Sequence, residues 1–179
     1  KELGDLYRRN EQYEQARDAY LQAIETGFDS AHLYRNLAIS HERLDEDEQA
    51  EIHFKAALAR DPDDPFTLNY LGYWWADNGR NLEQAIKLIE RAVKLRPKSG
   101  FFVDSLGWVH FKLGNFDLAV AFLEKATLLE PADPVITDHL GDAYWEVGRY
   151  VEARYKWKYA LSIATEDDLK AKIQTKLIQ

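Results

Sequence analysis

A leucine followed by a small residue recurs five times along the chain, at a nearly constant spacing of about 34 residues. Two alanines follow each such pair, the second seven residues after the first, and a large apolar residue stands between them. A repeat of this length with apolar positions in fixed register predicts a helical hairpin that stacks on copies of itself. The leucine–small pairs are Leu3-Gly4, Leu37-Ala38, Leu71-Gly72, Leu106-Gly107 and Leu140-Gly141.

The alanines predict how the two helices of a hairpin pack. Alanine at two levels of the second helix leaves room for the first helix to approach closely, and a bulkier side chain there costs about 1–3 kcal/mol through overpacking. The large residue between the alanines then fills the gap that remains. These large residues are Tyr20, Phe54, Ile89, Leu123 and Trp157.

Capping residues set the predicted helix boundaries. Serine or aspartate, both favoured N-caps, stands directly before four repeats, and three turns within hairpins hold a glycine that can adopt a left-handed conformation. The N-caps are Ser30, Asp64, Ser99 and Asp133, and the turn glycines are Gly79, Gly114 and Gly148. We predict paired helices over 2–10 and 12–25, 31–44 and 47–60, 65–78 and 82–95, 100–113 and 116–129, and 134–147 and 150–163.

The repeat resembles the tetratricopeptide repeat (TPR), a helix–turn–helix of about 34 residues. The resemblance covers nearly the whole chain, but the large aromatic residue expected three positions before the leucine is present as Tyr34 and replaced in later repeats. It implies an all-α fold, a right-handed α-solenoid of about five repeats with a C-terminal capping helix. We divide the single domain 1–179 into a partial repeat over 1–30 and repeats over 31–64, 65–99, 100–133 and 134–164.

The last residues, 165–179, follow a different pattern. Thr165 precedes an acidic first turn, as an N-cap does, and Leu169, Ile173 and Leu177 then form one apolar stripe on a helix. We predict a capping helix that covers the exposed face of the last repeat. A docking helix for another protein is the alternative interpretation of this stripe.

Composition narrows the function classes. With 23 Lys and Arg against 31 Asp and Glu, the formal net charge is -8, the opposite of a broad nucleic-acid footprint. The absence of cysteine excludes a disulfide framework, a thiol nucleophile and a cysteine-ligated zinc ion. No apolar run approaches the ~20 residues of a membrane span, so we expect no direct membrane insertion. Because the sequence begins at Lys1 and lacks methionine, we expect a piece of a longer chain.

A second face of the first helices, at positions 2, 5, 9 and 12 of each repeat and their neighbours, points about 150° away from the packing face. We call it the candidate face, and the TPR resemblance implies that it lines a concave groove where peptides bind. Along the chain it changes from basic to aromatic and amide-bearing, and then to acidic. The candidate binding residues are Arg35, Asn36, Arg43, Asn69, Tyr70, Tyr73, Asp104, Trp108, Lys112, Asp138, Asp142 and Trp145.

Tyr73 and Trp108 are the central residues of this hypothesis, because exposed aromatic side chains are typical binding anchors. Asn69 adds an amide that can pair with a peptide backbone. In the alternative interpretation, Trp108 packs against adjacent helices together with Phe101 and Phe111.

Other conspicuous side chains fit structural roles. His41 and His110 occupy a packing position that usually holds tyrosine, and Trp74 and Trp75 are predicted core residues. Basic and aromatic residues alternate over 149–158, a pattern that also occurs in nucleic-acid-binding and lipid-binding surfaces. We expect a solvated outer face there, with the aromatic residues buried.

We predict no catalytic residue, no resident metal and no cofactor. Asp138, His139 and Asp142 lie on one helical turn, where the carboxylates could hold a cation together, His139 could pair with a carboxylate, or the whole cluster could be solvated. Asp104-Ser105 has no spacing that enforces a nucleophilic arrangement with a histidine. A glycine-rich phosphate loop is also absent from the sequence.

These features predict a non-enzymatic scaffold or adaptor that binds a peptide or protein segment. Two alternatives stay open: a self-assembling scaffold, and a regulatory TPR region of a larger enzyme. The segments Asp104–Trp108 and Asp138–Trp145 also resemble TPR proteins of Gram-negative bacteria, notably alphaproteobacteria, including envelope lipoproteins that act as adaptors for a carboxyl-terminal processing protease. This resemblance implies the cell envelope or periplasm, and the residues themselves leave the cytoplasm open.

Overall fold

The computed structural model describes residues 1–178, which form eleven α-helices and no β-strand. Five helical hairpins follow one another, and a last helix follows them. None of the helices in this described part has the length and hydropathy that crossing a membrane requires. The helices are α1 (Glu2–Arg9), α2 (Tyr13–Glu25), α3 (Ala31–Arg43), α4 (Asp47–Arg60), α5 (Pro65–Asp77), α6 (Leu82–Leu95), α7 (Gly100–Lys112), α8 (Phe116–Leu129), α9 (Pro134–Glu146), α10 (Tyr150–Ile163) and α11 (Asp167–Leu177).

The ten hairpin helices confirm the predicted ones to within one residue at every end. Capping explains three of the helix starts, because the N-cap side chain accepts a hydrogen bond from a backbone N–H of the first turn. Ser99 also occupies the predicted N-cap position of α7, but its side chain makes no such bond. The three capping bonds are Leu33 to Ser30 at 3.3 Å, Thr67 to Asp64 at 3.2 Å and Ile136 to Asp133 at 2.9 Å.

The chain forms two compact units, Lys1–Leu71 and Gly72–Gln179, with the boundary inside α5. In the first unit, α1 to α4 pack in chain order around a core that contains Tyr20 and Leu37. In the second unit, α6 to α11 pack in chain order, and Trp157 belongs to the core there. Both units are therefore built from stacked helix pairs.

Within a hairpin, the small residue of the first helix lies against the large residue of the second. A Cβ atom added to Gly107 would lie 2.6 Å from Cγ of Leu123, and one added to Gly72 would lie 2.6 Å from Cγ1 of Ile89. The large residue thus fills the space that a missing side chain leaves on the facing helix. The alanine pattern alone did not indicate this partner.

The turns inside the hairpins use a left-handed residue, as predicted. Gly79, Gly114 and Gly148 have φ values of 64°, 76° and 78°. The equivalent positions of the first two hairpins hold Glu11 and Asp45, with φ values of 59° and 58°. A residue with a Cβ atom is strained in this region, so the first two turns are less favourable than the later ones.

The last helix, α11, covers the apolar face of the final hairpin, which confirms the predicted capping helix. Ile173 is fully buried, and Leu169 and Leu177 pack against the core of the second unit. The helix starts at Asp167, with Glu166 and not Thr165 at the N-cap position.

The predicted core residues are buried, and the pattern over 149–158 needs one correction. Trp74, Trp75, His41 and His110 are all buried. Trp157 is also buried, but Tyr155 and Tyr159 are 70 % and 40 % exposed, so the expectation of buried aromatics was wrong for these tyrosines. They stand two positions from Trp157, which places them on the opposite side of α10.

Candidate functional site

Trp108, on α7, lies at the centre of the candidate face in the second unit. Its indole stacks on the ring of His139, with centroids 4.0 Å apart, and on Phe111 at 4.8 Å. Its Nε1–H donates a hydrogen bond to the Asp77 carboxylate at 3.1 Å, and only 9 % of the residue is exposed. Trp108 therefore packs against neighbouring helices, which is the alternative interpretation given in the sequence analysis. A contact between Trp108 and a partner stays a prediction.

Phe101, on the same helix, has the opposite environment. It is 53 % exposed, so packing of Phe101 against adjacent helices is excluded as its main role. Val135, at the same repeat position on α9, is 40 % exposed, and α7 packs against α9. Tyr73 is half-buried, with its ring centroid 6.5 Å from that of His139. In the second unit, Phe101 and Val135 are thus the exposed apolar residues of the candidate face.

A buried ion pair lies beneath Trp108. Nδ1 of His139 is 3.0 Å and 3.2 Å from the two carboxylate oxygens of Asp104, and both residues are buried. Burial by itself lowers the pKa of His139, but the Asp104 carboxylate outweighs it, and the pKa is raised. The sequence left several roles open for the cluster around His139. In the structure, His139 pairs with a carboxylate, that of Asp104.

The other two acidic residues of this cluster bind a cation that belongs to the chain. Nζ of Lys176, on α11, lies 2.7 Å from Oδ2 of Asp138 and 2.7 Å from Oδ2 of Asp142. Oδ1 of Asp142 accepts a further hydrogen bond from Nε1 of Trp157 at 3.0 Å. Burial and the Asp142 carboxylate raise the pKa of Asp138, against the effect of Lys176. Within residues 1–178, no three His, Asp or Glu side chains are placed to hold a metal ion.

A cavity of about 270 Å³ opens beside Lys176. Trp145 forms part of its wall, with its ring centroid 5.3 Å from that of Trp157 and an edge contact to Tyr150 at 4.6 Å. The cavity therefore combines aromatic rings with carboxylates. Its lining residues are Phe111, Asp142, Trp145, Glu146, Trp157 and Lys176.

Lys112 contributes the cation at the other side of Trp108. Its Nζ donates a hydrogen bond to the backbone oxygen of Asp77 at 3.0 Å and lies 3.6 Å from that residue's carboxylate. The same Nζ is 5.1 Å from the centroid of the Trp108 ring, within the range of a cation–π contact. Asp77 thus fixes both the indole and the ammonium group.

In the first unit, the arginines of the candidate face are paired with acids. Arg35 Nη1 lies 2.6 Å from Oδ2 of Asp64, and the guanidinium stands 5.6 Å from the ring centroid of Phe66, which is 49 % exposed. Arg43 is exposed, with its Nε 3.4 Å from the Glu42 carboxylate. Both side chains remain within reach of solvent.

Asn36 belongs to the core of the first unit. It is 2 % exposed, and its Nδ2 donates to Oδ1 of Asp5 at 2.8 Å, an atom that also accepts from the Tyr20 hydroxyl at 2.7 Å. Burial raises the pKa of Asp5, but the bonds from Tyr20 and Asn36 outweigh it, and the pKa is lowered. The Asn36 amide is therefore engaged inside the hairpin stack.

Asn69 and Tyr70, on α5, differ in how their polar groups are satisfied. The Tyr70 hydroxyl donates to Glu42 at 3.0 Å, and burial followed by the Glu42 charge raises the pKa of Tyr70. Oδ1 of Asn69 is buried without a hydrogen-bond partner among the described residues. Because this oxygen is buried, its pairing with a peptide backbone N–H stays a prediction.

The sequence analysis missed Lys176. A signal existed, because Lys176 follows Asp142 by one repeat length, just as Asp142 follows Trp108. The three residues therefore share one position of the repeat, and α11 continues the register of the first helices.

Family models of the tetratricopeptide repeat match residues 1–65 and 104–133. The chain belongs to the tetratricopeptide repeat family. TPR proteins are typically protein-interaction scaffolds and are generally non-catalytic. TPR repeat-containing protein PA4667 of Pseudomonas aeruginosa is 30 % identical over 105 residues, which are 59 % of this chain. This TPR chain spans 18 % of the length of that relative.

Solved structures share the fold of this TPR chain. TTC0263, a thermophilic TPR protein of Thermus thermophilus, superposes with a TM-score of 0.83 and 25 % identity over 99 % of this chain and 97 % of that one. PilW, a widely conserved type IV pilus biogenesis factor, superposes with a TM-score of 0.84 and 22 % identity over 98 % of this chain and 83 % of that one. The predicted resemblance to bacterial TPR proteins is confirmed, and the narrower resemblance to alphaproteobacterial envelope adaptors stays a prediction.

Proposed function

We propose that this TPR protein is a non-enzymatic adaptor that binds a segment of another protein on its candidate face. One observation carries the proposal: Phe101 is 53 % exposed at the start of α7, whereas residues 102–110 of that helix are all buried. Val135 repeats this exposure at the equivalent position of α9. Apolar side chains that remain exposed on two packed helices supply area that a partner can bury.

Polar groups of the candidate face in each unit support a polypeptide ligand. In the first unit, the Arg43 side chain is exposed on the candidate face. In the second unit, Lys112 and Asp77 lie to one side of Trp108, and Asp142 with Glu146 lies in the acidic cavity. A segment bound along this unit meets apolar, basic and acidic groups, which can set its direction.

A peptide-display selection tests the proposal without a known partner. Peptides selected on the full chain are expected to lose binding to Phe101→Asp and to keep it for Val151→Asp. Val151 is the matched control, because it is 80 % exposed on α10 and lies outside the candidate face. Selected peptides that bind both variants equally would contradict the proposal, as would a selection that enriches nothing.

Self-assembly is the second candidate, and an apolar surface of the first unit favours it. Leu3, Leu6 and Phe28 are 53 %, 54 % and 56 % exposed. Leu3 and Phe28 line one cavity, and Leu6 follows Leu3 by one helical turn, so a second copy can bury these side chains together. Light scattering over a concentration series tests self-assembly. A molecular mass that rises with concentration in the native chain but not in Leu6→Glu would support it, and a constant monomer mass would exclude it.

A further inference from the structure

We propose that the cavity beside Lys176 binds an arginine side chain of the partner segment. This inference rests on the proposed function and adds the chemical group that enters the acidic end of the candidate face. The guanidinium would contact the Glu146 carboxylate and lie against the ring of Trp145.

Among the described residues, Lys176 is the cation within ion-pair distance of the Asp and Glu carboxylates of α9. Asp138, Asp142 and Glu146 follow one another at intervals of four residues, so they lie along one side of the helix. Lys176 is shared by the first two, at 2.7 Å from each. The Glu146 side chain is exposed and makes no ion pair or hydrogen bond within the described residues. A second cation in the cavity therefore has a carboxylate available to it.

The aromatic wall favours a cation for an independent reason. The faces of indole rings attract positive charge, and the chain's own cations already lie near two of them. The guanidinium carbon of Arg154 is 5.8 Å from the ring centroid of Trp145, and Nζ of Lys176 is 6.0 Å from that of Trp157. The guanidinium of Arg154 and the ammonium of Lys176 thus already lie near the aromatic rings of the cavity.

Arginine fits this cavity better than lysine. A planar guanidinium can stack on an aromatic ring and at the same time offer a two-pronged set of N–H donors to a carboxylate. The volume of about 270 Å³ between Trp145, Phe111 and Glu146 gives room for such a group. Lys176 stays in place on its two aspartates, so the incoming side chain adds to it.

An NMR titration of the full ¹⁵N-labelled chain tests the inference with a defined probe. Nα-acetylarginine amide is expected to shift the indole N–H signal of Trp145 in a saturable way. Nα-acetylcitrulline amide, which has nearly the same shape without the charge, is expected to leave that signal in place. No shift of Trp145 at 100 mM arginine amide would overturn the inference, and so would equal shifts with both compounds.

Two charge-matched variants make the result specific to the cavity. Glu146→Gln is expected to weaken arginine binding about fivefold, the effect of losing one exposed charge-assisted contact. Glu83→Gln removes one exposed carboxylate on α6 and is expected to change nothing. Equal titrations of the two variants would overturn the inference. If the arginine probe fails while displayed peptides still depend on Phe101, only the arginine site is lost and the adaptor function stands.

Discussion

The indole of Trp108 lies nearly parallel to the imidazole of His139, with ring centroids 4.0 Å apart and an interplanar angle of 14°. His139, on α9, is also paired with Asp104, on α7. The indole of Trp108 therefore packs against a buried ion pair that joins the two helices. A residue predicted from the sequence as a binding anchor is therefore also a packing element of the second unit.

Truncation of the two aromatic residues of α7 should separate packing from binding. Trp108→Ala removes a buried ring and is expected to lower the free energy of unfolding by about 3–5 kcal/mol. Phe101→Ala removes an exposed ring and is expected to change it by less than about 1 kcal/mol. Urea unfolding followed by circular dichroism measures both. Equal losses of unfolding free energy in the two variants would contradict the assignment of Trp108 as a packing residue and Phe101 as a surface residue.

Deprotonation of His139 should weaken its ion pair with Asp104 and make the second unit less stable at alkaline pH. The pKa of His139 is raised in the folded state, since Asp104 outweighs burial. The stabilisation is therefore fully present below the unfolded value of about 6.5 and is lost as pH rises through the folded pKa. The urea midpoint of the native chain is expected to fall above pH 6.5, and that of His139→Gln is expected to fall less. Parallel curves for both proteins would contradict this account.

His53 should give the opposite pH dependence in the first unit. Burial, with a smaller contribution from the charge of His41 stacked on it at 5.0 Å, lowers the pKa of His53 to about 4. As pH falls, the unfolded chain binds a proton before the folded chain does. Stability is therefore complete above about pH 6.5 and is lost as pH falls towards the folded pKa.

The variant His53→Leu tests this assignment, because leucine occupies the equivalent position of the third repeat, at Leu88. The native chain is expected to lose thermal stability between pH 6.5 and pH 4, and His53→Leu is expected to lose clearly less. A variant with the same acid sensitivity as the native chain would assign the effect to other groups.

The turn of the second hairpin can be improved by a single substitution. Asp45 has a φ of 58°, where the later hairpins use glycine. Asp45→Gly removes the strain of a Cβ atom in a left-handed residue, at the cost of a more flexible unfolded chain, and is expected to raise stability by about 0.5–1 kcal/mol. Thermal unfolding measures the change. Gly114→Ala is the reciprocal variant and should be destabilised, whereas a stable Gly114→Ala would contradict the argument.

The fold could be predicted from the sequence because every packing rule is repeated five times in register. The large residue of the second helix faces the glycine of the first helix in four hairpins, as Leu123 faces Gly107. A turn glycine such as Gly114 marks the same boundary in three of them. Each repeat therefore confirms the others.

The candidate site could be predicted only in part. Phe101 and Trp108 are both aromatic residues of the candidate face, but one is 53 % exposed and the other 9 %. The difference comes from Asp77 and His139, which lie on other helices and contact the indole of Trp108. Periodicity places a residue on a face of its own helix, and it carries no information on how charged side chains pair between hairpins.

Photocrosslinking tests the central claim, that the candidate face binds a polypeptide, most directly. A benzophenone amino acid is placed at Phe101, and in a second protein at Tyr155, which is 70 % exposed on the outer side of α10. A displayed peptide selected on the native chain is then irradiated with each. We predict crosslinks at position 101 and none at position 155. Crosslinks at position 155 alone, or at both positions to the same extent, would contradict binding on the candidate face.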